Sequence, residues 1–230
     1  MSLYAIGDLH LSLGTDKPMD VFGGGWDNYV EKILSGFSII GPDDTCVLCG
    51  DISWAMSLEE SRLDFGFIND LPGKKIILKG NHDYWWTTAA KMHSFFEQNG
   101  FENIEILHNN CFFYNGAAIC GTRGWLTDSE AGAEHNKKIM AREASRLRAS
   151  LTAAAGAEEK LCFFHYPPRF KSTVCHDLIS VMNDFGVKRC WYGHIHSNGW
   201  RFAVRGEVDG ISYAMVSADF VDFAPQLILQ

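Results

Sequence analysis

The chain has no apolar run long enough to cross a bilayer. Its first residues show no basic stretch leading into an apolar segment and a cleavage site, so no export signal is expected. It also lacks a basic excess: 20 Lys and Arg against 28 Asp and Glu leave a net charge of −8. Duplex nucleic acid and anionic membrane surfaces both demand a basic face, so neither is expected as a main partner. A small anionic substrate stays open, because bound cations invert the local field. Seven cysteines, an odd number, show no disulfide-framework spacing. Free thiols in a reducing cytoplasm are expected. Cys46-Val47-Leu48-Cys49 has C-x-x-C spacing but no second pair to complete a zinc site. Residues three apart on a strand face opposite sides, so two core cysteines are expected there. No internal repeat, low-complexity stretch or linker interrupts the 230 residues, and one domain spanning 1–230 is expected.

What is present is a core-sized share of apolar residues, 47%, and a regular alternation of elements. Short apolar runs at 3–6, 45–48 and 74–78 read as strands. Periodic segments at 26–40 and 57–71 read as helices between them, the second with Ser57 and Glu60 as a capping box. The loop 11–25, with Asp16, Pro18, Asp20 and three successive glycines, is placed to rim a site. A helix is expected over 84–100. Strands at 104–107, 111–114 and 117–120, turned at Asn109-Asn110 and Asn115-Gly116, suggest a second sheet. Further on come a helix over 134–155, a strand at 160–164, a helix near 175–185, and strands at 189–192, 202–204, 212–217 and 227–229. Strand–helix alternation gives the α/β class.

Chemistry-bearing residues gather at the ends of these strands: Gly7-Asp8-Leu9-His10, Gly50-Asp51, Gly80-Asn81-His82-Asp83, His165-Tyr166-Pro167 and Gly193-His194-Ile195-His196. Open α/β sheets bind ligands at their carboxyl ends. Taken singly, each cluster is an ordinary strand-end turn. Together they offer Asp8, His10, Asp51, Asn81, His165, His194 and His196: carboxylate, imidazole and amide oxygen, with no thiolate. In extended backbone, i and i+2 share a face, so Asp8 with His10, and His194 with His196, can each reach one ion. That donor mixture suits Mn, Fe, Co or Zn with open positions rather than a closed structural zinc site. Seven ligands exceed one tetrahedral ion and suit two. Such a pair activates water for attack on phosphorus. His82 is then free to serve the substrate, with Asp83 positioned to accept its other ring N–H. Tyr84 and Trp85, directly after Asp83, are candidate walls of the substrate pocket. Arg123 could meet a substrate phosphate with its bidentate fork, or could be a surface arginine. The charges on the 134–155 helix read as a solvated face, and His135 at its start is left between surface and pocket.

In this order and at these separations the five clusters resemble the motifs of the calcineurin-like metallophosphoesterase superfamily, including its bacterial predicted phosphohydrolases, over residues 7–196. The resemblance implies a four-layer α/β/β/α sandwich with two mixed sheets flanked by helices. It implies one ion on Asp8, His10, Asp51 and His196, and a second on Asp51, Asn81, His165 and His194, with Asp51 bridging. It further implies catalytic assistance by His82, oriented by Asp83. The expected activity is hydrolysis of a small phosphoester by a metal-bridging hydroxide, phosphodiester before phosphomonoester. A non-catalytic interaction protein on the same scaffold is a second reading. It predicts lost ligands, and none is lost. A nuclease is a third, disfavoured by the acidic balance and the lack of an appended capping domain.

Overall fold

The computed structural model describes residues 1–17, 19–126 and 132–230; Pro18 of the predicted rim loop lies outside them. Its strands are β1 (Leu3–Ile6), β2 (Thr45–Leu48), β3 (Lys74–Ile77), β4 (Ile104–Ile106), β5 (Phe112–Tyr114), β6 (Ala117–Thr122), β7 (Glu159–Phe164), β8 (Arg169–Phe170), β9 (Thr173–Val174), β10 (Arg189–Tyr192), β11 (Gly206–Val208), β12 (Ile211–Met215) and β13 (Gln226–Leu229). Its helices are α1 (Tyr29–Phe37), α2 (Arg62–Asp70), α3 (Ala89–Asn99), α4 (Ala133–Ala153) and α5 (His176–Asp184). One sheet runs β13-β1-β2-β3-β4 and the other β11-β12-β10-β7-β6-β5. Both are mixed: β1 to β4 are parallel with β13 reversed, while β6, β7, β10 and β12 are parallel with β5 and β11 reversed.

The period of two in the strands builds three cores and hence four layers. From the first sheet, Leu3, Ala5, Val47 and Ile76 point inward onto Ile119, Leu161, Phe163 and Trp191 of the second. Cys46, Leu48 and Ile77 point outward, under Ile33 and Phe37 of α1, Phe65 and Ile68 of α2, and Met92 and Phe96 of α3. On the other side Cys120, Cys162 and Tyr192 meet Leu147 and Leu151 of α4 and Leu178 and Met182 of α5. Cys46 and Cys49 therefore sit in different cores, as strand geometry requires. No helix among the described residues is long and apolar enough to cross a membrane.

Several boundaries differ from the sequence expectation. The strand at 104–107 joins the first sheet beside β3, so the second sheet begins at β5. The β5–β6 turn is as expected, Asn115 and Gly116 having φ of 45° and 82°, the pair of positive values a type I′ turn needs. Half of the expected capping box forms: Glu60 N–H donates to Ser57 Oγ at 3.3 Å, while the Glu60 carboxylate accepts from Met56 N–H at 2.8 Å rather than from Ser57. They close a turn rather than a helix, and α2 starts at Arg62. Residues 84–88 are not helical: Thr88 caps α3, its Oγ1 accepting from Lys91 N–H at 3.4 Å. Residues 202–204 are no strand, since a 3-10 turn occupies Ser197–Phe202. The β8–β9 hairpin was not anticipated.

Candidate metal centre

Every cluster lies past the carboxyl end of a parallel strand: Asp8 after β1, Asp51 after β2, Asn81 after β3, His165 after β7, and His194 after β10. Backbone bonds tie these exits together. Asp8 N–H donates to Gly50 O at 2.9 Å, His10 N–H to Asp51 O at 3.0 Å, and Gly193 N–H to His165 O at 3.1 Å. The two sheets are stitched at the same end, Gly7 N–H donating to Val216 O at 2.7 Å. The backbone here is not extended. Asp8, His10, Asp51 and His194 have φ of 60°, 48°, 50° and 71°. Left-handed conformations in non-glycine residues are costly and gather at functional sites. Asp8 and His10 thus meet by a tight turn, not by sharing a strand face. Two motif glycines are needed for space. A Cβ on Gly80 would collide with the backbone nitrogen and carboxylate of Asp51, and one on Gly193 would lie 2.5 Å from Asp8 Oδ2.

The side chains converge in two groups, Asp8 with His10 and His196, and Asp51 with His165 and His194. Within each group the ligand atoms lie within 4.8 Å of one another. Asp51 also faces the first group, its Oδ2 lying 3.7 Å from His10 Nε2. The donor chemistry fits cations. His165 Nδ1–H donates to the Cys49 carbonyl at 3.1 Å, which leaves Nε2 as a lone-pair atom. That atom faces Asn81 Oδ1 at 2.6 Å, His194 Nδ1 at 3.2 Å and Asp51 Oδ2 at 3.5 Å. A positive ion between these acceptors would satisfy their converging lone pairs together. His10 Nδ1 is likewise buried without a hydrogen-bond partner.

Burial, opposed by His196 and reinforced by Asp51, pushes Asp8 up to about 8. Burial also raises Asp51, against the opposing pull of His82. It drives His165 down to about 3 and His194 to about 2, and takes His10 well below its ordinary value. Neutral imidazoles are the form that ligates metals. His196 is the exception. Burial alone would lower it, but its hydrogen bond to Asp219 and the nearby Asp8 hold it raised to about 9. Asp219 Oδ1 lies 2.8 Å from His196 Nδ1, the carboxylate–histidine arrangement that orients metal ligands. Sequence reasoning missed Asp219. It follows β12 as the other clusters follow their strands, but nothing local ties it to His196.

His82 lines the same cavity, of about 410 Å³, with His10, Asp51, His194 and His196. Burial holds its ring below the ordinary histidine range, opposed by Asp51. Trp26 and Trp54 form an aromatic wall that the sequence did not announce: Trp54 stacks on His10 at 5.0 Å and lies 4.4 Å from His82. The geometry corrects the expected partner of Asp83. Its carboxylate accepts from the backbone N–H groups of Gly80 (2.6 Å), Ile52 (2.8 Å), Asp51 (3.0 Å) and Ser53 (3.4 Å), and from Trp85 Nε1–H (3.1 Å). His82 Nδ1 is buried and donates no bond to it. A carboxylate surrounded by five N–H donors is drawn to them, away from the ring. Trp85 is corrected too. Only 2% exposed and packed edge-on to Phe65 at 4.8 Å, it is core rather than pocket wall. Tyr84 is exposed, its ring 6.1 Å from that of His82.

Arg123 lies elsewhere, in a second cavity of about 610 Å³ with Lys79, Trp86, His108, Glu143 and Arg146; exposed His135 is on its rim. Part of the α4 charge is therefore not a solvated face. Glu143 is buried, 1% exposed, accepting from Thr122 Oγ1 at 2.6 Å and Arg146 Nη1 at 2.7 Å.

Among curated proteins there is no match. Solved structures of similar fold include a protein of unknown function from Aquifex aeolicus, with a TM-score of 0.52 and 16% identity over 98% of this chain and 95% of that one. Another is the phosphopantetheinyl hydrolase of Mycobacterium tuberculosis, with a TM-score of 0.57 and 14% identity over 99% and 95%. A Thermus thermophilus protein matches with a TM-score of 0.55 and 14% identity over 84% and 81%. The sequence model of the calcineurin-like phosphoesterases matches residues 1–198, a span that holds all five strand-end clusters. The chain belongs to the calcineurin-like phosphoesterase family and is, as such, a metal-dependent phosphoester hydrolase.

Proposed function

We propose that residues 1–230 form one catalytic domain that hydrolyses a small phosphoester, a phosphodiester in preference to a monoester, at a centre of two divalent transition-metal ions. The observation that carries this reading is the pair of Asp and His groups with acceptors facing acceptors between them. Asp8, His10 and His196 would hold one ion, and Asn81, His165 and His194 the other, with Asp51 shared. Manganese, iron and zinc all suit these donors. Two such ions supply the Lewis acidity that makes water nucleophilic near neutral pH and offsets charge on the phosphoryl oxygens. The chain's own residues do the rest. His82 stands over the centre to protonate the leaving oxygen or stabilise developing charge. Trp26 and Trp54 give an ester substituent an apolar wall and keep water from it. A second cavity, lined in part by Lys79 two residues before the candidate ligand Asn81, offers room for a further ester substituent, which favours the diester.

The test is turnover of bis(p-nitrophenyl) phosphate against p-nitrophenyl phosphate by manganese-loaded protein. A higher kcat/KM for the monoester reverses the preference. A metal-loaded protein inert to every phosphoester in a broad panel, phosphopantetheinyl esters included, returns the scaffold to the interaction-protein reading. In elemental analysis Asp51→Asn should lose both metals, and unchanged metal content would refute the shared-ligand role.

A further inference from the structure

The second cavity has a charge the rest of the molecule lacks. On a chain of net charge −8, Lys79, Arg123, Arg142 and Arg146 line one space and face a single carboxylate, Glu143. That carboxylate is already engaged, by Thr122 and Arg146, with Arg123 Nη2 at 3.6 Å. Among the described residues, neither Lys79 nor Arg142 has an ion-pair partner, and the buried Nε–H of Arg123 has no acceptor. An orphaned buried donor beside surplus cations asks for an anionic acceptor. His108, also in the cavity, is lowered chiefly by burial, then by Arg146 and Lys79, with Glu143 opposing. The guanidinium forks supply bidentate geometry for a phosphate-type group.

This cavity shares no lining residue with the one over the metal centre, so an anion in it is not the scissile group. The two are nevertheless joined. Lys79 and the candidate ligand Asn81 are two residues apart, about 7 Å at most between their Cα atoms. Arg123 O accepts from Tyr166 N–H at 2.8 Å, and the Tyr166 ring lies 4.2 Å from that of His194.

We propose that the cavity lined by Lys79, Arg123, Arg142 and Arg146 is a second anion site, and that the substrate is a phosphoester carrying a further phosphate group held there. The substrate class rests on the phosphoesterase reading above; the anion site does not.

Calorimetric titration of the metal-loaded protein with inorganic phosphate is expected to give two sites per chain. Arg142→Gln/Arg146→Gln should weaken one at least tenfold and leave the other. Arg142 is exposed, so Arg142→Gln alone gives the same comparison should the double variant melt at lower temperature. A single site in the parent protein, or two undiminished sites in the variants, overturns the proposal. For the substrate arm, thymidine 5′-(p-nitrophenyl phosphate) is compared with its 3′-phosphorylated form. The added phosphate should lower KM at least tenfold in the parent and lose that advantage in the arginine variants. An unchanged KM means the cavity takes a free anion and overturns the substrate class. Asp51→Asn should abolish the other phosphate site. If it does not, or if no phosphoester is hydrolysed, the phosphoesterase reading falls while the cavity site stands.

Discussion

Replacing Asp83 is expected to loosen the metal centre rather than merely misalign His82. The carboxylate joins two loops: it accepts from Asp51, Ile52 and Ser53 on one and from Gly80 on the other, with Trp85 below. It is 1% exposed, so bulk water does not reach its donors. A buried donor left without an acceptor costs about 1–3 kcal/mol, so losing the three shortest bonds in Asp83→Ala removes about 3–9 kcal/mol. That is a large part of the roughly 5–15 kcal/mol that holds a domain folded. Asp83→Asn keeps one acceptor oxygen and turns an N–H₂ toward the remaining donors, so about half that loss is expected. The assay is urea unfolding together with metal content by elemental analysis. The expected pattern is a lower unfolding midpoint and lost metal, because the loops bearing Asp51 and Asn81 part. Wild-type stability and full metal content, with turnover reduced as in a His82 variant, would refute this reasoning and give Asp83 the role of orienting the ring.

His82→Ala should cut turnover by a factor of roughly 10²–10⁴ with metal content intact; loss of metal in that variant would make His82 a ligand instead. Asp219→Ala should weaken metal affinity about 10–100-fold, because His196 loses the acceptor 2.8 Å from its Nδ1. Competition with a chelator reads this directly, and parent-like affinity would show the bond to be idle. Lys75 is fully buried, its Nζ donating to Leu71 O at 2.5 Å and Gly73 O at 2.6 Å. Burial pulls it down from 10.5 to about 8. The unfolded chain therefore keeps a proton that the folded chain has released, so Lys75 alone contributes a rise of about 3 kcal/mol in stability as pH climbs from about 8 to 10.5, against the opposite slope of the buried thiols that burial raises. Lys75→Met should remove that rise, seen by comparing urea midpoints at pH 8 and pH 10. Parallel slopes in the two proteins would exclude Lys75 as its source.

The candidate ligands were legible because parallel strands end where ligands bind, and apolar runs mark strand ends well. The bounds of β1, β2 and β10 coincide with the runs read from sequence. The way the ligands meet was not legible. Asp8 and His10 come together through left-handed turns, which an i, i+2 argument on extended backbone does not contain. Side-chain direction was likewise set by tertiary packing. Of three consecutive aromatics, Tyr84 faces solvent, Trp85 the core and Trp86 the cationic cavity, because this stretch is loop rather than helix. Asp219 and Glu143 act on partners 23 and 21 residues away in the chain, His196 and Thr122. No local pattern encodes such pairings, and Glu143 looked like one more charge on an exposed helix.

Each group of ligands straddles the seam between the sheets: Asp8 and His10 come from the first and His196 from the second, and Asp51 faces His165 and His194 in the same way. Neither half of the polypeptide therefore carries a complete ligand group, and a chain cut between β4 and β5 leaves each group divided between the pieces. A full set of ligands around either ion is assembled only when the two sheets have docked in register. An ion bound there clasps the halves together, so sequestering it should let them breathe against each other at the very end where chemistry takes place.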